Sequence, residues 1–464
     1  MELFTINFNN NKPKYEQIYL ALKQMIINHT IKENECIPSK RALAKHLNTS
    51  KNTIELAYEQ LIVEGYITSK ERCGYYVNKL DYYQSEATSN LVIEPTPSLE
   101  YKYDLSTELV DLNLFPYHTF AKLYKNIMLN NPDLLALGHN QGDYNLRSIL
   151  SKHLKEYRGI ECYPEQIVVG AGVEYLIDLV LQLLGRNNTF ALEDPGFVKM
   201  NHILINHGYN INHIPLDEQG MNINILNKSK ANIAYLTPSH QFPTGIAMPI
   251  KRRIEILNWA NRESNRYIIE DDYDSEFRYS SMPIPAFNSL NRNKTIYLST
   301  FSKTIAPSMR LAFVVLPPSL LTKYKETASI YSNTVSRYEQ QTLATFINDG
   351  YFTRHLNKMR NNYKQAKNNL IDKLYKMFKE DIEIYDNNSG LHILFKVNYM
   401  NDEIELISLA AKHNIKLHSV NEFSLTNTSS SKNVFIFGFA GYNEKDIDAI
   451  ILSLYEAWKN VAIR

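Results

Sequence analysis

Six short apolar segments, at 166–169, 189–192, 233–236, 267–269, 295–298 and 312–316, alternate with longer stretches of helical periodicity. A strand this short and this apolar needs cover on both faces, and helices between successive strands supply it. The alternation therefore predicts an α/β fold with a mainly parallel sheet. It excludes a helical bundle and a β-sandwich for this part of the chain. Open sheets of this kind collect ligands beyond the carboxyl ends of their strands, so the residues that follow each segment are the candidates for function.

The rest of the chain divides around residues 80–103, a stretch with Pro95 and Pro97, several Ser and Thr, and neither helical nor alternating periodicity. Such a segment is expected to be a linker. The expected domains are thus 1–79, the linker 80–103, and a body at 104–464 that ends in a smaller α+β subdomain. Across 464 residues the hydrophobic share is 44% and the charged share 21%, which suits a folded chain rather than a disordered one. The net charge of +1 advertises no polyanionic partner overall. Residues 1–80, however, hold eleven Lys and Arg against eight Glu, a net of +3 that leaves −2 for the remainder. Cys36, Cys73 and Cys162 are far apart and form no CxxC pair, which speaks against a disulfide framework or a zinc site and fits a reducing compartment. The most apolar stretch, at 175–185, carries Asp178 and Gln182, and no membrane span is expected. The first residues lack a basic-then-apolar leader, so the expected location is the cytoplasm.

In the first domain, Tyr15, Ile18, Tyr19, Leu22, Met25 and Ile26 recur at helical spacing. Ser39 is placed to cap a second helix and Ser50 a third, with a tight turn at Asn48-Thr49 between them. A hairpin with Gly74 near its turn follows. Three helices and a hairpin make a winged helix-turn-helix, whose third helix enters the major groove by its N-terminus. That start holds Thr49, Ser50, Lys51, Asn52 and Thr53, while Lys40 and Arg41 open the preceding helix, where backbone phosphates are expected. From Cys36 to Ile54 there is no acid at all. The residues Pro38, Ser39, Arg41, Leu43, Ala44, Ser50, Thr53, Ala57, Tyr58, Leu61, Glu64, Gly65 and Tyr66 closely resemble the pattern of the GntR-type winged helix. The resemblance covers nearly all of 12–78 and implies double-stranded DNA as a partner.

In the body, Gly170-Ala171-Gly172-Val173 follows the first apolar segment and opens a helix, an arrangement suited to an anion. Asp271 and Tyr273 follow the fourth segment; Thr300, Ser302, Lys303 and then Arg310 follow the fifth. A lysine can condense with an aldehyde. Hydroxyls with an arginine can hold a phosphate. An acid can keep a ring nitrogen protonated, and an aromatic such as Phe197 can cover a ring. Pyridoxal 5′-phosphate (PLP) requires this combination. The strings at 271–274, 300–303 and 237–245 resemble fold-type I aminotransferases, and the whole chain resembles the MocR/GabR family, in which a GntR-type winged helix precedes an aminotransferase-like domain. The resemblance implies that Lys303 forms a Schiff base with PLP, that Asp271 pairs with the pyridine nitrogen, that Tyr273 lies near the ring hydroxyl, and that Phe197 covers the ring. It implies that Thr300, Ser302, Arg310 and the amides of Gly172 and Val173 surround the phosphate, with Ser239, His240 and Gln241 near the ring edge. Gly142-Asp143-Tyr144, followed by Leu146-Arg147, matches the family's G-D-Y-x-L-R segment; by analogy it lies near a homodimer interface, where Tyr144 reaches a neighbour's site.

One departure bears on function. Aminotransferases of this fold grip the substrate carboxylate with a C-terminal arginine, and this chain has none between Arg360 and Arg464. The region 417–425 offers Asn421 and Glu422 instead, and Lys199 stands where GABA-sensing relatives place a second arginine. Arginine and lysine are not equivalent for a planar carboxylate. The expectation is a DNA-binding transcription regulator that responds to PLP itself or to an amine, in the manner of relatives that control vitamin B6 synthesis. The alternative is a working aminotransferase with an appended DNA-binding domain.

Overall fold

The structure is a computed structural model that describes residues 5–6, 8–9, 12–80, 101–279, 284–386, 388–426 and 432–461. Of the expected linker, residues 81–100 lie outside them. The chain separates into two compact units, Met1–Ser98 and Leu99–Arg464.

The first unit contains α1 (Lys14–Ile27), β1 (Cys36–Ile37), α2 (Lys40–His46), α3 (Lys51–Val63), β2 (Ile67–Lys70) and β3 (Gly74–Val77), with β3 central in a three-stranded sheet. Ile18, Leu22 and Ile26 of α1 meet Leu43 of α2 and Ile54, Tyr58 and Leu61 of α3 in one apolar core. The Ser39 side chain accepts the Ala42 N–H at 3.2 Å, and the Ser50 side chain accepts the Thr53 N–H at 3.1 Å, so both expected caps form. Asn48 turns the chain between α2 and α3 with a φ of 48°, in the left-handed region that asparagine tolerates.

The second unit opens with β4 (Tyr103–Asp104), followed by α4 (Tyr117–Asn130) and α5 (Tyr144–Arg158). The large sheet then comprises β5 (Ile167–Gly170), β6 (Thr189–Asp194), β7 (Asn210–Asp217), β8 (Gly220–Met221), β9 (Ile233–Leu236), β10 (Tyr267–Asp272), β11 (Thr295–Thr300) and β12 (Ala312–Val315), in the order β5-β12-β11-β10-β9-β6-β7-β8. Strands β11, β10, β9, β6 and β7 are mutually parallel. One face is covered by α6 (Val173–Leu184), whose Leu176, Val180 and Leu183 pack on Val168, Ile269, Leu298 and Val314. The other face packs on α5 and on the helix Arg337–Asn348. A 28-residue helix, Tyr351–Phe378, leads to the C-terminal subdomain. There β13 (Ile382–Tyr385), β14 (His392–Val397), β16 (His418–Ser419) and β17 (Val434–Gly438) form a sheet ordered β13-β14-β17-β16, while β15 (Ile415–Lys416) pairs in parallel with β4.

All six expected strands are present. Strand β12 nevertheless runs antiparallel to both its neighbours, β11 and β5, because the connection from β11 is too short for a crossover. Strands β10 and β11 also extend further than expected. Asp271 and Asp272 therefore stand on the strand, opposite Leu298 and Ser299, rather than in a following loop.

Candidate functional site

At the carboxyl ends of β10 and β11 the body encloses a cavity of about 560 Å³, a size suited to a small molecule or cofactor. Of the residues expected there, Lys303, Asp271, Tyr273 and Phe197 line it, and so do Val173, Thr300, Ser302 and Arg310. They come from the ends of β10 and β11, from the start of α6 and from the turn after β6.

Lys303 sits in the turn after β11, and its Nζ donates to the Thr107 carbonyl at 2.5 Å. Burial pushes its pKa down to about 8, against the pull of Glu108 and Asp274 toward the ammonium form. A lysine with so low a pKa keeps a nucleophilic free-amine fraction near neutrality. Asp271 is the reverse case. Burial raises its pKa to about 7, while a bond from the Tyr235 hydroxyl to its Oδ2 acts in the other direction. Its Oδ1 is buried and has no hydrogen-bond partner. A buried carboxylate oxygen without a donor is costly, so the position is built for a group carrying an N–H or a proton.

The remaining groups bring two hydroxyls and a guanidinium to the cavity lining. Thr300 Oγ1 and Ser302 Oγ are 2.9 Å apart, and the Ser302 N–H donates to Thr300 Oγ1 at 3.1 Å. Arg310, held in the left-handed region with a φ of 48°, pairs with Glu174 at the start of α6. Gly172 is required here by its φ of 98°, in a region that side-chain-bearing residues rarely adopt. Its N–H already donates to the Gly170 carbonyl at 2.9 Å.

Gly172, Ser239, His240, Gln241 and Tyr144 are not among the residues that line the cavity. Ser239 accepts from Arg158 at 2.7 Å, His240 bonds Asp274 at 2.8 Å, and Gln241 is tied to the Pro195 carbonyl at 3.0 Å; none of the three lines the cavity. The 237–245 string passes below the cavity as a buried scaffold and presents Thr237 and Phe242 to it instead. Tyr144 opens α5 and is 57% exposed. The Tyr273 hydroxyl donates to the His240 carbonyl at 3.0 Å, which fixes its ring at the cavity wall. Sequence reasoning missed Phe242, Thr237 and Tyr235. An aromatic before a Pro-Thr-Gly turn and a tyrosine within an apolar strand carry no signal of their own.

In the first unit, Arg41, Ser50, Lys51 and Asn52 are exposed, and Thr49 and Thr53 are half-buried, on one contiguous helix-turn-helix surface. Lys40 is half-buried, with its ammonium 2.6 Å from Glu55. Among the described residues no helix is long and apolar enough to cross a membrane.

Residues 14–77 match the bacterial regulatory proteins, gntR family. The chain is 38% identical over 455 residues to an uncharacterized HTH-type transcriptional regulator, YdeL of Bacillus subtilis, covering 96% of this chain and 97% of that protein. The chain belongs to the MocR/GabR family of GntR-type transcription regulators. Consistent with this, the regulator is 27% identical to a probable rhizopine catabolism regulatory protein, MocR of Rhizobium meliloti, over 84% of its own length and 83% of the relative's. It is 25% identical to the pyridoxine biosynthesis transcriptional regulator PdxR of Corynebacterium glutamicum, over 95% of each chain. The body has the fold of the aminotransferases. The crystal structure of Pyrococcus horikoshii kynurenine aminotransferase matches 80% of the regulator and 96% of that enzyme, with a TM-score of 0.69 at 24% identity.

Proposed function

We propose that the regulator holds PLP in the body cavity through Lys303 and controls a promoter through the exposed start of α3. The buried, unpartnered Oδ1 of Asp271 carries this reading, because it shares a cavity with a lysine whose burial favours the free amine. The residues fit the cofactor: Asp271 for the ring nitrogen, Phe197 and Tyr273 for the ring and its hydroxyl, and Thr300, Ser302 and Arg310 for the phosphate. When bound, the cofactor supplies an aldehyde that captures amines. The chain's own part is to bind and orient it, to keep the Lys303 amine available, and to keep bulk water from the Asp271 carboxylate. Arg310 bonds Glu174 through Nη2, and the guanidinium has further N–H groups to offer a phosphate.

The likeness to PdxR supports vitamin B6 synthesis genes as the target class. A homodimer is supported by Met128, Leu129, Leu135, Leu137, Ile330 and Tyr331, each more than half exposed. The Asn140 side chain, which donates to the Ser329 carbonyl, joins the 330–331 turn to the segment after α4. Borohydride reduction of the loaded chain followed by peptide mass analysis tests the reading. A pyridoxyl group on Lys303 is expected, and a retained cofactor with no adduct on any lysine overturns it. Promoter binding compared between cofactor-free and loaded protein then tests the regulatory half.

A further inference from the structure

The cavity continues outward, past the Lys303 and Asp271 end, to a wall made of two pieces of chain. One is residues 104–108, which follow the linker directly; the other is residues 416–423 of the C-terminal subdomain. Backbone bonds join them, Tyr103 N–H to the Asn414 carbonyl at 3.1 Å and Leu105 N–H to the Lys416 carbonyl at 2.9 Å.

Among the described residues, Lys416 and His418 on this wall and Lys199 elsewhere in the cavity lining each have a carboxylate neighbour. Lys416 lies 2.9 Å from Asp104. His418 bridges Asp104 at 3.2 Å and Glu422 at 2.9 Å. Lys199 lies 3.4 Å from Glu174 and 4.0 Å from Glu108. Among the described residues the C-terminal subdomain contributes no arginine to the cavity; its lining is Lys416, His418, Glu422, Phe423 and Ile436. A carboxylate entering here must break an existing ion pair to find a partner.

An entering ammonium meets a looser arrangement, because Glu108 is held by Lys199 only at 4.0 Å, while Lys199 also has Glu174 at 3.4 Å. The Thr107 carbonyl already holds one, the Nζ of Lys303 at 2.5 Å. The Glu108 carboxylate, 79% exposed on the same strip of chain, is the acid that most favours a positive charge at that point. An amine bonded to an aldehyde carbon keeps at most one of its ammonium protons. Capture of the cofactor by Lys303 would therefore take the charged donor from the half-buried Thr107 carbonyl and leave that acceptor open to another. Beside it stand Phe242 and Phe423, edge to face with centroids 4.9 Å apart, an apolar wall for whatever the ammonium carries.

We propose that the Thr107 carbonyl and the Glu108 carboxylate form the docking point for the ammonium group of a primary-amine effector that carries no carboxylate, with its apolar substituent against Phe242 and Phe423. This rests on the PLP reading above and names the ligand class of the same cavity. The docking point belongs to the strip that continues into the linker.

The test uses the full chain loaded with PLP and two probes that differ only in a carboxylate, 2-phenylethylamine and phenylalanine. Binding is followed by calorimetry and by the cofactor absorbance band. The amine is expected to bind at least about tenfold tighter, and Glu108→Gln to weaken it by about tenfold, as loss of a charge-assisted contact should. A cofactor band must be present in Glu108→Gln before amine is added, which shows that the variant still folds and loads. Hydrogen exchange of the Leu105 amide should change on adding the amine to the wild-type chain. Equal or tighter binding of phenylalanine overturns the proposal, as does a Glu108→Gln chain that binds the amine like the wild type. A chain that shows no cofactor band fails the PLP reading first, before any amine is added, and this proposal falls with it.

Discussion

The winged helix and the cavity place their functional groups by opposite means. In the small domain, Arg41 and residues 49–53 fall within one short run of sequence, and two serine caps and one helix core put them on a common surface. In the body, Asp104, Phe197, Asp271, Lys303, Arg310 and Phe423 meet across more than three hundred residues because strand ends converge. A site of the first kind depends on the stability of a small domain. A site of the second kind depends on burial, which sets the chemistry of each group it encloses. The two should therefore respond to different perturbations.

The largest effect falls on the cavity. Lys303→Ala should abolish covalent cofactor attachment while leaving the DNA affinity of the cofactor-free chain unchanged, measured by mass analysis after reduction and by DNA titration. In the wild type the Lys303 amine, with a pKa of about 8, is protonated below that value and neutral above it. The rate of cofactor capture should thus rise about tenfold per pH unit below 8 and level off above it. Rates measured across pH 6–10 that stay flat would show that burial does not control this lysine.

Leu61→Ala makes the reciprocal cut. Leu61 is fully buried between α1 and α3, and its truncation should destabilise the small domain by about 2–5 kcal/mol. DNA binding should weaken or vanish, while Lys303 still captures the cofactor. Simultaneous loss of both functions would show that the two units do not fold separately.

The same contrast explains what was legible in advance. The small domain was nearly transparent, since helix periodicity, caps at Ser39 and Ser50 and the turn at Asn48 are local signals that the tertiary fold leaves alone. The apolar strands of the body were also legible, and so was the residue set Lys303, Asp271, Arg310. Three things were not. The direction of β12 depends on partners rather than on its own residues. Strand β7, rich in asparagine and histidine with mostly half-exposed positions, lacks a buried-strand pattern. The third was which residues of the 237–245 string reach the cavity: Thr237 and Phe242 line it, whereas 239–241 do not, and His240 bonds Asp274.

Smaller effects separate recognition from stability within the winged helix. Lys51→Ala removes an exposed charge at the start of α3 and should weaken binding to all sequences alike. It should also lower the slope of log affinity against log salt by about one, whereas Lys40→Ala should change that slope less because Lys40 is engaged by Glu55. Equal slopes for both variants would mean that Lys40 leaves Glu55 to meet phosphate.

The finest distinction comes from the two caps. Ser39 and Ser50 do the same structural work, each accepting one N–H from the first turn of its helix, at 3.2 and 3.1 Å. Ser39→Ala and Ser50→Ala should each lower the domain's stability by about 1 kcal/mol, read from denaturant unfolding. In the proposed docking only Ser50 stands at the helix end that enters the groove, where its hydroxyl and the N–H groups beside it can meet a phosphate. DNA affinity should therefore fall further for Ser50→Ala than for Ser39→Ala at equal loss of stability. If the two variants lose affinity in parallel, the start of α3 matters only as a helix end, and recognition must come from another part of the surface.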